Sequence, residues 1–100
     1  MMEFVKLFTE NLRLVALRAL AQIPGYSCND SILQDILATF AIKSSRDQVR
    51  SQLAWLQEQG LINYEVLSSG TYVATITQRG LDAAAGNVTI PGVKRPSPRD

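Results

Sequence analysis

Apolar residues recur at spacings of four and three from Phe4 through Phe8, Leu12, Val15 and Ala19 to Ile23, which predicts a helix over residues 3–23. Leu7, Leu14 and Leu17 add an adjoining stripe broken only by Asn11, so the apolar arc is wider than the ~100° that a single core covers. A second copy of the same helix is the first candidate to cover the excess. Thr9 offers an alternative cap that would set residues 2–8 apart as a short arm, but the unbroken period favours one continuous helix. Pro24 and Gly25 end it, because proline disfavours helical geometry in the residue before it and glycine releases the chain.

Asn29 or Asp30 caps the next helix, whose apolar face is Ile32, Leu33, Ile36, Leu37 and Phe40 and which runs to about Ala41. Ile42 and Lys43 make a short connection, without the glycine often found in such turns. A third helix starts at Ser44 or Ser45, with Gln48 three residues after Ser45 as a capping box requires, and Val49, Leu53 and Leu56 form its inner stripe. Gly60 closes it. Residues 61–67 and 71–76 are rich in β-branched and aromatic residues around Ser68-Ser69-Gly70, which predicts a short hairpin. Thr77 caps a brief last helix that Gly80 weakens and Gly86 ends. From Asn87 onward three of the four prolines appear without helical period, so residues 1–86 read as one domain and 87–100 as an extended or mobile basic tail.

Composition narrows the chemistry. At 46% hydrophobic and 19% charged the 100 residues are those of a globular domain somewhat short of charge, as expected where a partner covers apolar surface. The net charge of +1 and pI near 7.9 give no strong field, so any basic surface must be local. One cysteine, Cys28, and no histidine remove intrachain disulfides, zinc sites of the His/Cys kind and histidine acid–base chemistry, and no cofactor or metal is expected. The longest apolar run, Leu14 to Leu17, is far below the ~20 residues of a membrane span, and the start MMEFVKLFTENLR lacks the pattern of a signal peptide. The expected location is the cytoplasm.

Helix, helix, turn, helix, two-stranded wing, helix is the order of a winged helix-turn-helix, mainly α with a small β-hairpin. Residues 10–86 resemble that fold in its ArsR or MarR form through VRSQLAWLQEQGLI, the Thr77-Gln78-Arg79-Gly80 segment and the short wing. The whole chain also resembles a family of small proteins of Mu-like bacteriophages described in general terms as ArsR-like regulators. The segments that carry this are SRDQVRSQLAWLQEQGLI, ITQRGLDAAAG and PGVKRPSP. The resemblance implies a DNA-binding transcriptional regulator, a homodimer through helix 3–23, with the helix at 44–59 laid in the major groove of double-stranded DNA.

With Val49, Leu53 and Leu56 inward, the outer face of that helix holds Asp47, Arg50, Ser51 and Ala54, with Arg46 and Gln57 on one flank and Gln48 and Gln52 on the other. Arg50 is the candidate for a guanine, since a guanidinium can donate two parallel bonds to O6 and N7. Ser44, Ser45 and Arg46, at the positive end of the helix dipole, suit phosphate. The plainer readings compete: Arg46 and Arg50 as solvated charges beside Asp47, Ser45 as a cap alone, Trp55 in core or interface packing, Cys28 as a passive thiol. The wing tip, Leu67 to Thr71, carries no cation and Glu65 lies beside it, which counts against phosphate contact there. Lys94, Arg95 and Arg99 in the tail are the substitute cations, as an arm along the backbone or in a minor groove. The rival to a regulator is a winged helix used for protein docking, without a DNA target. An enzyme has no support, because no base or glycine-rich loop flanks Glu58 or Glu65.

Overall fold

Leu12, Leu14, Ala16, Leu17 and Leu20 all turn to one side of the first helix, and that side is where the core forms. The computed structural model describes residues 2–97. Its elements are α1 (Met2–Gln22), β1 (Ser27–Asn29), α2 (Asp30–Thr39), α3 (Arg46–Glu58), β2 (Ile62–Val66), β3 (Tyr72–Ile76) and α4 (Gln78–Ala85). The architecture is that of a winged helix-turn-helix. Helix α1 is continuous, so Thr9 lies within it rather than capping a separate arm.

Leu33 and Leu37 of α2 and Val49, Leu53 and Leu56 of α3 meet α1 in a shared cluster, closed below by Leu61 and Ile62 and by Ala83 and Ala84 of α4. The sheet is antiparallel with strand order β1-β3-β2, so the hairpin expected from sequence gains a third strand at its edge. Strand β1 is only three residues long, too short to display a two-residue period, and exists through its pairing of Cys28 with Ala74. Cys28 is buried there, and burial pushes its thiol pKa up, away from the reactive thiolate.

The segment set apart as a tail does not behave as one up to Lys94. Ile90 and Val93 are buried in the core, and the Lys94 amide donates to the Glu10 carbonyl of α1. Two apolar side chains placed three apart are enough to dock this stretch, whose prolines rule out a helix but not packing. Trp55 is the reason it docks here. The Arg13 guanidinium stacks 3.7 Å from its ring centroid and donates from Nη1 to the Gly92 carbonyl at 2.8 Å. Gly92 lies so close under the indole that an added Cβ would come 2.7 Å from Cζ2. Trp55 thus packs on the first helix and the C-terminal segment. Of the expected basic arm, Arg99 lies outside the described residues.

The turn between α2 and α3 closes without glycine by forcing Ala41 into the left-handed region, at φ 61. The Ile42 amide reaches back to the Leu37 carbonyl, as in a Schellman ending, and Ile42 is buried beneath it. An alanine held there costs about 1 kcal/mol relative to glycine, and the greater freedom of glycine in the unfolded chain returns only part of that. Ala41 is exposed, so Ala41→Gly removes no packing. We expect it to raise the melting temperature by about 3 to 6 °C. An unchanged or lowered midpoint in a thermal denaturation curve would show that the left-handed residue costs nothing here.

Candidate nucleic-acid interface

Ser45 accepts the Gln48 amide at its Oγ, and the Gln48 side chain accepts the Ser45 amide, so both ends of the capping box are formed. Two sequence candidates are thereby committed to starting α3. Gln57, a third, accepts the Tyr64 amide with Oε1 at 2.9 Å and fastens the helix to the first wing strand. The Ser44 carbonyl receives the Gln34 side chain at 2.8 Å, and its hydroxyl is buried without a partner among the described residues. What stands open on the outer face of α3 is Asp47 and Ser51, with Ala54 half-buried behind them.

Arg50, the candidate for a guanine, has partners within the chain. Its Nε lies 2.7 Å from Oδ2 of Asp30, its Nη2 donates to the Gly70 carbonyl at 3.1 Å, and its guanidinium sits 4.6 Å from the centroid of Tyr72. Donors that a guanine would need are therefore used within the chain. Asp30 explains why. It is 1% exposed at the first position of α2, where Asn29 already provides the cap, and its Oδ1 meets no donor among the described residues. A carboxylate so placed requires a counter-charge. Burial pushes the Asp30 pKa up, but the hydrogen bond and charge of Arg50, the Tyr72 amide and the charge of Arg46 outweigh it, leaving the carboxyl below its ordinary value. The bond to Asp30 correspondingly raises Arg50.

The consequence is a clamp. Arg50 joins the start of α2 to the middle of α3 and to the wing tip, and Tyr72 stacks on Tyr64 across the wing at a centroid distance of 5.3 Å. Between α3 and the wing lies a shallow groove of about 380 Å³ lined by Asp47, Arg50, Ser51, Ala54, Tyr64 and Tyr72. Sequence reading placed both tyrosines only as strand residues, and Asp30 only as a possible cap, because nothing in their spacing announces that they converge on Arg50.

Arg46 keeps more freedom. Its Nε and Nη2 reach Gln34 and Ser31 of α2 at 3.0 and 3.3 Å, yet the residue is exposed. Lys43, also exposed, precedes the cap and was passed over in the sequence because it lies in the turn. These two cations bracket the α3 N-terminus. In the C-terminal segment the Lys94 amide donates to the Glu10 carbonyl of α1, and Arg95 donates to Thr89 at 2.9 Å. Among the described residues no cluster of acidic, cysteine or histidine side chains could hold a metal ion, and no helix is long and apolar enough to cross a membrane.

Over 93 residues the chain is 48% identical to the uncharacterized protein gp26 of Escherichia phage Mu, covering 93% of this chain and 95% of gp26. The chain belongs to the gp26 family. A second relative, an uncharacterized protein of Haemophilus influenzae, is 42% identical over 99 residues, covering 99% of this chain and 96% of its own length. No family model matches the sequence. The fold is similar to that in the complex structure of hsRosR-S4, with a TM-score of 0.62 at 16% identity over 75% of this chain. That match spans 64% of the hsRosR-S4 chain, and at such identity the likeness concerns the fold alone. The phage resemblance noted from sequence therefore acquires a definite relative, while the ArsR-like description does not come with it.

Proposed function

We propose that this gp26-family protein is a DNA-binding winged-helix protein, a small phage or prophage transcriptional regulator of the ArsR type acting in the cytoplasm of the bacterial host. The single observation that carries this is the open outer side of α3: among the described residues no other element covers Asp47 or Ser51, and Lys43 and Arg46 stand exposed at the helix start. A helix presented this way beside a wing suits a major groove. In this reading Arg46 and Lys43, at the positive end of the α3 dipole, take phosphate, while Ser51 approaches base edges. Arg50 acts as a positioning residue that holds the wing to α3. Gln48 and Gln57 act through the helix they fasten, and Lys94 and Arg95 add diffuse positive charge at a distance. A homodimer through residues 3–23 would present two copies of α3 to half-sites about one helical turn apart.

The test is fluorescence anisotropy of a labelled random-sequence duplex at ~50 mM and ~200 mM salt. Binding should weaken steeply with salt, and Arg46→Ala should flatten the logarithmic salt slope by about one unit without unfolding the protein. Flat anisotropy for the intact chain at the lower salt would remove the regulator reading. A docking module is the second reading, favoured by one feature: Val66 and Leu67 of the wing are 52% and 43% exposed, and Asp47 stands open on α3. That surface suits a protein better than a phosphate backbone.

A further inference from the structure

Helix α1 carries a second stripe, formed by Phe4, Phe8, Asn11, Val15, Ala19 and Gln22, on the side roughly opposite the buried Leu17 and Leu20. Its two halves differ. Residues 2–8 are all exposed, with Phe4 at 71% and Phe8 at 43%, so the first two turns project beyond the body as an apolar arm. Two turns of helix without packing are marginal in water. The second half is small-sided. Val15 and Ala19, with Ile23 of the chain that follows, Ile36 of α2 and Phe40 just after it, line a mostly apolar groove of about 500 Å³ edged by Arg18 and Gln22, and Phe40 is 63% exposed.

We infer that the arm of one copy fills the groove of another, so that two α1 helices pair antiparallel about a two-fold axis near Asn11 and Leu12. This deepens, and rests on, the homodimer of the proposed function. With the axis there, Phe4 meets Ala19 and Phe8 meets Val15 of the partner, and each meeting occurs twice. Large side chains face small ones, as interdigitating helices require. The axis falls at the middle of a helix that spans Met2–Gln22, so the overlap uses its full length, about 30 Å. A parallel pair would instead set Phe4 against Phe4 and leave both grooves facing each other unfilled. The apolar surface covered is on the order of 600 Å² per protomer, close to the ~800 Å² of an ordinary stable interface.

The test is sedimentation velocity on the full chain with four variants, each checked for unchanged melting of the body. Phe8→Glu and Val15→Lys should each weaken self-association at least ~100-fold, and the two together in one chain should return it to within about tenfold, because the new carboxylate of one copy then meets the new ammonium of the other. Phe4→Glu, at a side chain that is 71% exposed in the single chain, should behave like Phe8→Glu. A wild-type chain that stays monomeric at millimolar concentration would overturn both this inference and the dimer itself, leaving the arm to a different polypeptide. A dimer indifferent to Phe4→Glu and Phe8→Glu would overturn the arm-in-groove interface while the dimer reading stands. Weakening by both single variants without rescue in the double would overturn the antiparallel pairing.

Discussion

Arg50→Ala lowers the melting temperature at pH 7 by roughly 10 °C or more, and the loss shrinks as the solution is acidified. The cause is Asp30, which is 1% exposed and keeps its charge because of the guanidinium 2.7 Å away. In the intact chain the Asp30 pKa lies below its unfolded value, so its contribution is fully present above about pH 4 and is lost as pH falls through the lower, folded pKa. Without Arg50 the burial that already opposes ionisation is left as the dominant influence, and the folded pKa moves above the unfolded one. The variant then takes up a proton on folding and gains stability toward low pH, while the intact chain loses it. Melting curves of both proteins from pH 3 to 8 should therefore converge at the acidic end. Parallel curves would show that Asp30 is not the group Arg50 serves. Asp30→Asn combined with Arg50→Ala should cost much less than the separate losses added together, since neither partner then leaves a buried charge behind.

Gly80→Ala should lower the unfolding free energy by about 2 to 3 kcal/mol, although alanine is the better helix former by about 1 kcal/mol. Gly80 is where α4 closes on the end of α3. A Cβ there would fall onto the Leu61 carbonyl oxygen and within 2.6 Å of Ile76 Cγ1. The Leu61 carbonyl already accepts the Thr77 amide at 3.0 Å, and the Thr77 hydroxyl donates to Gly60 at 2.7 Å while accepting the Gly80 amide at 3.1 Å. Pushing α4 outward breaks the cap along with the packing. Urea denaturation should show a lower midpoint with an unchanged slope. A stability equal to or above that of the parent would mean that α4 can slide outward without loss.

The same glycine shows where local reading fails. By propensity Gly80 weakens a helix, and only the approach of a carbonyl from nineteen residues earlier makes it necessary. Arg50 fails in the same way. Its position on the outer face of α3 is legible from Val49, Leu53 and Leu56, but the side chain bends back to a carboxylate twenty residues away, and no periodicity encodes that distance. Ile90 and Val93 were hidden by their prolines, because the absence of helical period was taken for absence of packing. Strand β1 was hidden by its length.

What the amino-acid order determined alone was whatever depends on neighbours within a few residues. The 3.6-residue period of the helices, the Ser45–Gln48 cap, the stop at Gly60, the hairpin around Gly70 and hence the winged order all follow from local geometry. Tertiary structure decided which charged groups remain available to a partner. Asp30 is desolvated only once α2, α3 and the wing have come together, and a buried carboxylate then recruits the nearest guanidinium whatever face of a helix it was placed on.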